Sequence, residues 1–595
     1  MILAYSANII LFFTIFTSLL SITLQKKNKS LNNSHYIISL LNISLFIQLI
    51  YAFITSNYHI ENVVLNSHHL KPLIFKIAGS WGSHEGSLIL IYMLTSVMFS
   101  IFAYKNKPNN TQKTIYFSSI GFLGTYILFS SNPFRIVTEE VTNGMGLNPL
   151  LQDYALAIHP PILYIGYTSL IVPFLIAFYD KETFLEKHKY LHKWALFSFS
   201  FLTLGIGLGS WWAYRELGWG GFWFWDPVEN ISLLPWFTAV GLVHLLISKN
   251  SSFYKYQILL CILGFFYANF ATFIVRSGLL TSVHSFAQDN SRGIYLLLYI
   301  IGIGCIGIIP VIKAFKENVI INKNRFLLAN AIFMFLGSII IFFALTSPII
   351  YYMLYKQFIS LGAPYYEKTL LPVMSPVLFL GSVAVTKYIT QKQLFLKMLS
   401  VALLSGILTY LCSKHYTIHS LLPVYGILGA WFLIIFSILD FLQNMRRIAV
   451  FLGHIGFGLL ILSANIAFNG STFEEATLKI GESFEHNNYQ ITLKDVEYSL
   501  VKNYASRKAI VKITKNNYIF YLKPETRLYP IEQTTTTDVD IKSFLFNDIY
   551  LAFADYDEEK GAYLRVYDRK MINFIWLSVA LMFASGIYKI LRKKK

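Results

Sequence analysis

The stretch Gly209-Ser-Trp-Trp-Ala-Tyr-Arg-Glu-Leu-Gly-Trp-Gly-Gly-Phe-Trp-Phe-Trp-Asp-Pro-Val-Glu-Asn230 carries five of the ten tryptophans in a chain of 595 residues. Trp211, Trp212, Trp219, Trp223 and Trp225 alternate with Gly209, Gly218, Gly220 and Gly221, and a glycine lets backbone or a flat ligand come close to a ring. A planar aromatic ligand suits that shape. On composition alone, an aromatic belt at the membrane–water boundary suits it equally well. The end of the stretch reads as a helix start. Asp226 is a capping side chain, Pro227 takes the first helical position, and Glu229 closes the capping box. An apolar helix therefore begins here and holds the aromatic loop at a surface.

Outward from this loop the chain is strongly apolar. Hydrophobic residues make up 55% and charged residues 13%, which places the chain among membrane proteins that cross the bilayer many times. Fifteen apolar runs are long enough to span, the first at 4–25 and the last at 571–591. The loops between them alternate in charge. Lys26, Lys27 and Lys29, then Lys105, Lys107 and Lys113, Lys181 to Lys193, Lys249 and Lys255, Lys313 to Arg325, Lys387 to Lys397, Arg446 and Arg447, and the tail Arg592–Lys595 fall on one side. By the positive-inside rule that side is cytoplasmic, so the N-terminus and the tryptophan loop are external and the C-terminus is internal. The net charge of +18 is spent on this asymmetry, not on a nucleic-acid surface. The first run carries its positive flank behind it and reads as a retained helix rather than a cleaved signal. Cys261, Cys305 and Cys412 lie singly in apolar runs and form neither a disulfide framework nor a thiol redox motif.

The fold expected is an all-α polytopic membrane protein of about fifteen transmembrane helices with a small β-rich external domain. Helices one to six occupy 1–208, the external loop 209–230, helices seven to fourteen 231–468, the external domain 469–570, and a last helix with a basic tail 571–595. Within 469–570, apolar and polar residues alternate at Tyr489–Val496 and Ala509–Ile513, turn at Asn516-Asn517 and resume at Tyr518–Leu522.

Depth sorts the histidines. His244 lies five residues before Lys249, and His454 seven after Arg447, so both stand near the inner face. His159 precedes Pro160-Pro161 and His284 follows Arg276-Ser-Gly, both on the outer face. A residue before proline is held extended, which places His159 at the mouth of its helix. Two facing neutral imidazoles can hold a haem iron; a lone histidine within a span more often links helices by a hydrogen bond than binds a metal. His415 and His419 stay unassigned, as does His84 in Gly79-Ser-Trp-Gly-Ser-His-Glu-Gly86.

The string Trp219-Gly-Gly-Phe-Trp-Phe-Trp-Asp226-Pro-Val-Glu-Asn230 resembles the tryptophan-rich WWD signature of haem-handling membrane proteins. The whole chain is similar to the CcmF family, the haem lyase subunits of the bacterial cytochrome c maturation system. The likeness extends over Gly79–Leu88, Ala157–Tyr167, Arg276–Phe286, the external domain and Trp576, with Phe222 standing where a tryptophan is often found. It implies that His159 and His284 ligate a haem in transfer, docked on Trp211, Trp212, Arg215, Gly218, Trp219, Gly220, Gly221, Phe222, Trp223, Trp225 and Asp226. It implies that His244 and His454 hold a second, b-type haem that reduces the first. Arg215, Arg276 and Arg292 become candidates for the propionates, with interfacial snorkelling an equal alternative. The implied reaction is thioether attachment of haem b, brought by the carrier CcmE, to apocytochrome c. The likeness implies CcmH, CcmI and CcmG as partners that handle the apocytochrome and its thiols, with quinol a candidate electron source. No residue reads as a catalytic acid or base. The implied location is the bacterial inner membrane, or the mitochondrial one for an organellar protein. A haem exporter or binding scaffold is the alternative. An ion transporter is disfavoured by spans nearly bare of charge.

Overall fold

The structure, a computed structural model, describes residues 1–27, 33–247, 253–280, 282, 290–317, 325–357, 359–384, 391–516 and 518–592. Lys29, Lys249, His284, Lys323, Lys387, Asn517 and the final three lysines lie outside them. In chain order the helices are α1 Ile2–Lys26, α2 Ser34–Ile54, α3 Glu61–Asn66, α4 Leu73–Gly82, α5 His84–Lys105, α6 Asn110–Phe129, α7 Tyr154–Ser169, α8 Ile171–Ile176, α9 Lys181–Glu186 and α10 His188–Glu216. They continue with α11 Pro227–Leu245, α12 Tyr254–Ser277, α13 Asn290–Phe315, α14 Arg325–Tyr355, α15 Ala363–Ala384, α16 Gln391–His415, α17 Leu421–Gln443, α18 Ile448–Asn469 and α19 Ile572–Leu591.

A helix falls on each of the fifteen apolar runs, and among the described residues thirteen helices are long and apolar enough to cross a membrane. The two runs outside that set are α6, which opens Asn-Thr-Gln-Lys-Thr, and α15, which carries Glu367 and Lys368. The centre of the bundle is the α10–α11 hairpin. α10 packs on α7 and α19, and α11 on α12 and α14, so the tryptophan loop joining them lies over the middle of the bundle.

Helix ends are set by local chemistry. Ser83 accepts from the Gly86 amide at 3.0 Å to start α5, Asn109 and Gln112 form a capping box on α6, and Asp153 accepts from Ala155 and Leu156 to start α7. His159 lies inside α7, not at an extended mouth as the following proline suggests. The helix runs straight through Pro160 and Pro161, although an interior proline removes a backbone bond. Pro161 cannot donate to the Ala157 carbonyl four residues back, and the Trp81 indole N–H donates to that carbonyl instead, at 3.1 Å. One orphan acceptor is thereby satisfied from a neighbouring helix.

Between α18 and α19 the described residues form ten strands in two antiparallel sheets. The first has the order β1 Thr472–Leu478, β10 Gly561–Lys570, β9 Asn547–Asp557, β8 Asp540–Ser543. The second runs β2 Ser483–His486, β3 Tyr489–Leu500, β4 Ala505–Lys515, β6 Glu525–Tyr529, β7 Thr534–Asp538, with β5 Tyr518–Leu522 also on β4. Ile491, Leu493, Val511 and Ile513 of one sheet meet Leu551, Phe553, Leu564 and Val566 of the other in a shared core, the arrangement of a sandwich. The alternation read at Tyr489–Val496 is the middle of this core face.

Candidate functional site

The loop from Leu217 to Asp226 is shaped by three left-handed residues, Gly218, Gly220 and Trp225, with φ of 70°, 64° and 58°. For Trp225 that conformation is costly, and it is held from both sides. The Trp225 carbonyl accepts from Asn230 Nδ2 at 2.6 Å, and its indole stacks on Tyr366 of α15 at 4.5 Å and 9°. Asp226 accepts from Val228 N at 2.9 Å, and Glu229 Oε2 accepts from both Asp226 N and Phe224 N. The helix start read from Asp226-Pro227-Glu229 is thus present and clamps the loop. Ser282 Oγ donates to Asp226 Oδ1 at 2.7 Å, tying in the segment that follows α12.

The aromatic residues divide by direction. Trp212 is fully buried, and its indole N–H donates to the Leu150 carbonyl at 3.0 Å. Phe222 is buried against Phe468 and Trp576, fixing the loop to α18 and α19. Trp211 lies under the Arg215 guanidinium, and Gly220 sits against the Tyr567 ring, where a Cβ would lie 2.8 Å from it. Trp219 stays 44% exposed. Trp223, set edge-on to Trp225 at 6.2 Å, lines a cavity of about 180 Å³ beneath the loop.

His84, His159, Tyr164, Trp223, Glu229 and Arg276 share that cavity. The His159 Nδ1–H donates to the Gly205 carbonyl at 2.7 Å, which fixes Nε2 as the nitrogen bearing the lone pair. Gly209 makes room for the ring: a Cβ there would lie 2.7 Å from His159 Cε1. Arg276 is 4% exposed and donates to Ser87 Oγ at 2.7 Å and to the Thr272 carbonyl at 3.3 Å. Its Nε has no hydrogen-bond partner among the described residues, and no carboxylate there pairs with it. A buried cation on the wall of a cavity, without a carboxylate partner among the described residues, suits an anionic group. Arg215 and Arg292 differ, because Asp153 pairs with the first at 3.3 Å and Glu85 with the second. His84, whose Nδ1 meets Ser131 Oγ at 3.0 Å, is the cavity residue that its sequence context left unexplained. His284 lies outside the described residues.

A second pair stands near the other face. His244 of α11 and His454 of α18 have ring centres 6.3 Å apart and planes 7° from parallel. Two metal–nitrogen bonds of roughly 2 Å plus the half-width of each ring account for a separation of that size. The His244 Nδ1–H donates to the Val240 carbonyl at 2.8 Å, which leaves the lone pair on Nε2, an arrangement that would suit a metal ligand. The two side chains fit a six-coordinate haem iron. Eighteen helical positions separate His244 from Asp226, about 27 Å along the axis.

Residues 81–281 match the family described as cytochrome C assembly protein, and residues 470–570 match the CcmF C-terminal beta-sandwich. The cytochrome c-type biogenesis protein ccl1 of Rhodobacter capsulatus is 33% identical, over 91% of this chain and 88% of that protein. The chain belongs to the CcmF family of cytochrome c-type biogenesis proteins. CcmF of Haemophilus influenzae is 31% identical over 91% of this chain and 89% of its own. The solved structure titled Cytochrome c Heme Lyase CcmF has the same fold, with a TM-score of 0.81 over 99% of this chain and 98% of that one at 19% identity.

In this CcmF-family chain a buried polar network fastens the sandwich to the helices. Glu532 accepts from Lys71 Nζ at 3.1 Å and from Gln152 Nε2 at 3.2 Å; Asn503 donates to Gln152 Oε1 and meets His68 Nε2 at 2.9 Å. Burial pushes the Lys71 ammonium down to about 8, against the pull of Glu532. A second cleft, of about 560 Å³, opens between the Pro149–Leu151 turn, Trp219 and strand β7.

Proposed function

We propose that this chain is a cytochrome c haem lyase, which takes haem b from the carrier CcmE and joins it to apocytochrome c. The observation that carries the reading is the cavity under the tryptophan loop. There the tautomer-fixed His159 imidazole, the Trp223 indole and the buried Arg276 guanidinium line one space. At about 180 Å³ the cavity is smaller than the roughly 300–1,000 Å³ that encloses a drug-sized ligand, so a flat tetrapyrrole enters edge-on and keeps part of its rim outside. His159 would ligate the haem iron, and His284 is the candidate for a second ligand. Arg276 takes a propionate, and Arg215 and Arg292 are available at the rim only by leaving Asp153 and Glu85. The Trp223 indole supports the ring.

With the rim exposed, each vinyl group meets one thiol of a Cys-x-x-Cys-His segment. The S–H adds across the vinyl double bond: a carbon–sulfur bond forms at one vinyl carbon, and the thiol hydrogen ends on the other. No electron is gained or lost, so the step requires positioning more than acid–base catalysis. Alignment of this kind lowers a barrier by about 7–11 kcal/mol. His244 and His454 would hold a b-type haem, and the chemistry it would supply is one-electron reduction that keeps the transferred iron ferrous, with quinol as the candidate donor. CcmH, CcmI and CcmG deliver the apocytochrome with its thiols reduced. The sandwich is external, and the protein sits in the bacterial inner membrane, or its mitochondrial counterpart, with its N-terminus periplasmic and its C-terminus cytoplasmic.

The test is His159→Ala in cells lacking the native protein. Haem-stained holocytochrome c should disappear while the purified variant keeps its inner b-type spectrum. Normal yield rejects the docking cavity. A haem exporter predicts instead that haem still reaches the outer face in this chain's presence without thioether formation.

A further inference from the structure

We propose that the outer edge of β7 is the seat of the polypeptide substrate, and that an extended segment of apocytochrome c adds as a strand along Thr534–Thr537. This rests on the attachment reading and names where its second substrate binds. Among the described residues β7 ends its sheet and pairs with β6 alone, from Glu525 opposite Asp538 to Tyr529 opposite Thr534. All four threonines line the 560 Å³ cleft. Successive side chains of a strand point to opposite faces, so a cleft that touches four consecutive residues runs along the strand edge, where the outward N–H and C=O groups project.

Exposed edges are ordinarily blunted by lysine, proline or a covering element, because they pair with any free strand. Thr534-Thr-Thr-Thr537 carries neither lysine nor proline, and the Pro149–Leu151 turn and the end of α10 flank it across an open cleft; Thr534 and Thr535 are exposed, and threonine favours the extended chain. The opposite wall is Pro149, Leu150 and the exposed Trp219, whose ring is braced edge-on by Phe224 at 4.8 Å. That indole stands over the open edge and offers an apolar face to a side chain of an added strand.

The cleft also lies where the chemistry needs it. Leu150 lines the cleft and Leu151 lines the His159 cavity, so the two share one turn as their partition. Trp219 and Trp223 belong to one loop and face one chamber each. Two thiols reach one haem only from an unfolded, extended segment. Strand addition holds such a segment by main-chain hydrogen bonds, which read no side chain and therefore accept different sequences around the cysteines.

The experiment uses the full-length protein and a synthetic peptide bearing Cys-x-x-Cys-His. Thr535→Cys should trap the peptide as a mixed disulfide under mild oxidant. Ser483→Cys, on strand β2 at the far edge of the same sheet, should not. Of Thr535→Pro and Thr536→Pro, one removes an N–H directed at β6 and the other an N–H directed into the cleft. The second should weaken capture by a Trp219-labelled fluorescence or pull-down measure about ten-fold, the worth of one or two main-chain bonds, with the inner haem spectrum unchanged. His159→Ala should still trap the peptide at Thr535→Cys while forming no thioether. Equal trapping at both edges, disulfide-linked dimers of this chain in place of the peptide adduct, or full capture by both proline variants would overturn the seat. Trapping at Thr535→Cys, when the parent protein with His159 and Thr535 intact attaches no haem, would keep the seat and sink the lyase reading.

Discussion

Adding a single methyl group at Gly209 tests the cavity at its tightest point. The Cβ of Gly209→Ala would stand 2.7 Å from His159 Cε1, 3.0 Å from Nδ1 and 3.2 Å from Nε2, whereas carbon atoms rest at about 3.5–4.0 Å. The imidazole must retreat by roughly 1 Å. It has nowhere to go along its own hydrogen bond, since Nδ1 already lies 2.7 Å from the Gly205 carbonyl, at the short end of the normal range. Nor does the backbone yield easily, because His159 is followed by two prolines in a helix pinned by Trp81. The ring therefore swings off its bond and rotamer, at about 0.5–1.5 kcal/mol for each. A 1 Å error in a positioned group costs about 10² in rate, or about 2.7 kcal/mol. The assay is the rate of thioether formation by purified protein, with the inner haem spectrum as a check on folding. Gly207→Ala is the matched control: two residues away in α10, its Cβ would meet Val579 of α19 at 2.5 Å instead. It should lower stability by about 1–3 kcal/mol and leave attachment per folded molecule unchanged. A Gly209→Ala rate within about three-fold of the parent, against the expected 10², would refute the placement of His159 at the reacting haem.

Further outcomes follow from other parts of the molecule. Replacing His244 or His454 by glycine should abolish the stable b-type spectrum, and added imidazole should restore part of it; two unchanged spectra would remove these residues as ligands. Glu532→Ala strands the buried Lys71 ammonium and should cost about 3–5 kcal/mol of sandwich docking, read as faster hydrogen exchange or proteolysis across 470–570, and unaltered protection would contradict the network. Burial pushes Asp538 up to about 6, opposed by Arg527. Its folded value lies above the unfolded one, so its contribution is full below about pH 4 and is lost as pH rises to about 6. The melting temperature of the full chain should carry that slope and Asp538→Asn should flatten it, so equal slopes would dismiss the assignment. Reporter fusions after Lys193 and Arg447 should report cytoplasm and fusions within 470–570 the exterior; a reversal of either would invert the topology.

What the sequence made legible was whatever depends on neighbours in the chain. Asp226-Pro227-Glu229 announces a helix start because capping is a matter of three residues, and the long helices follow from apolar length. His244 and His454 could be paired because both lie a few residues from basic loops, and depth in a membrane is a one-dimensional quantity. The alternation at Tyr489–Val496 gave a strand for the same reason. Contacts between distant segments were hidden. The local rule for a residue before proline misplaces His159, because the compensating donor is Trp81, 76 residues away from Ala157. Three arginines looked alike until Asp153 and Glu85 claimed two of them. His68 gave no sign of its role, since the network around Glu532 gathers residues from positions 68 to 532. Edge strands, likewise, are defined by which partner is missing, and strand order is not written in any one strand.

The sandwich is joined to its helices almost without slack. Two residues separate Asn469 of α18 from Thr472 of β1, and one separates Lys570 of β10 from Ile572 of α19. The domain cannot swing like a bead on a string; when it leans, α18 leans with it. His454 lies fifteen positions down that helix from Asn469, about 22 Å, so α18 is a lever with substrate at one arm and the inner ligand at the other. A lean of a few degrees moves the far end by roughly an ångström. Axial geometry is one of the levers by which a protein sets the potential of a haem. An inner haem held by His454, as proposed, would thereby be wired mechanically to events on the outer face, and its midpoint potential would gauge whether a polypeptide has arrived there.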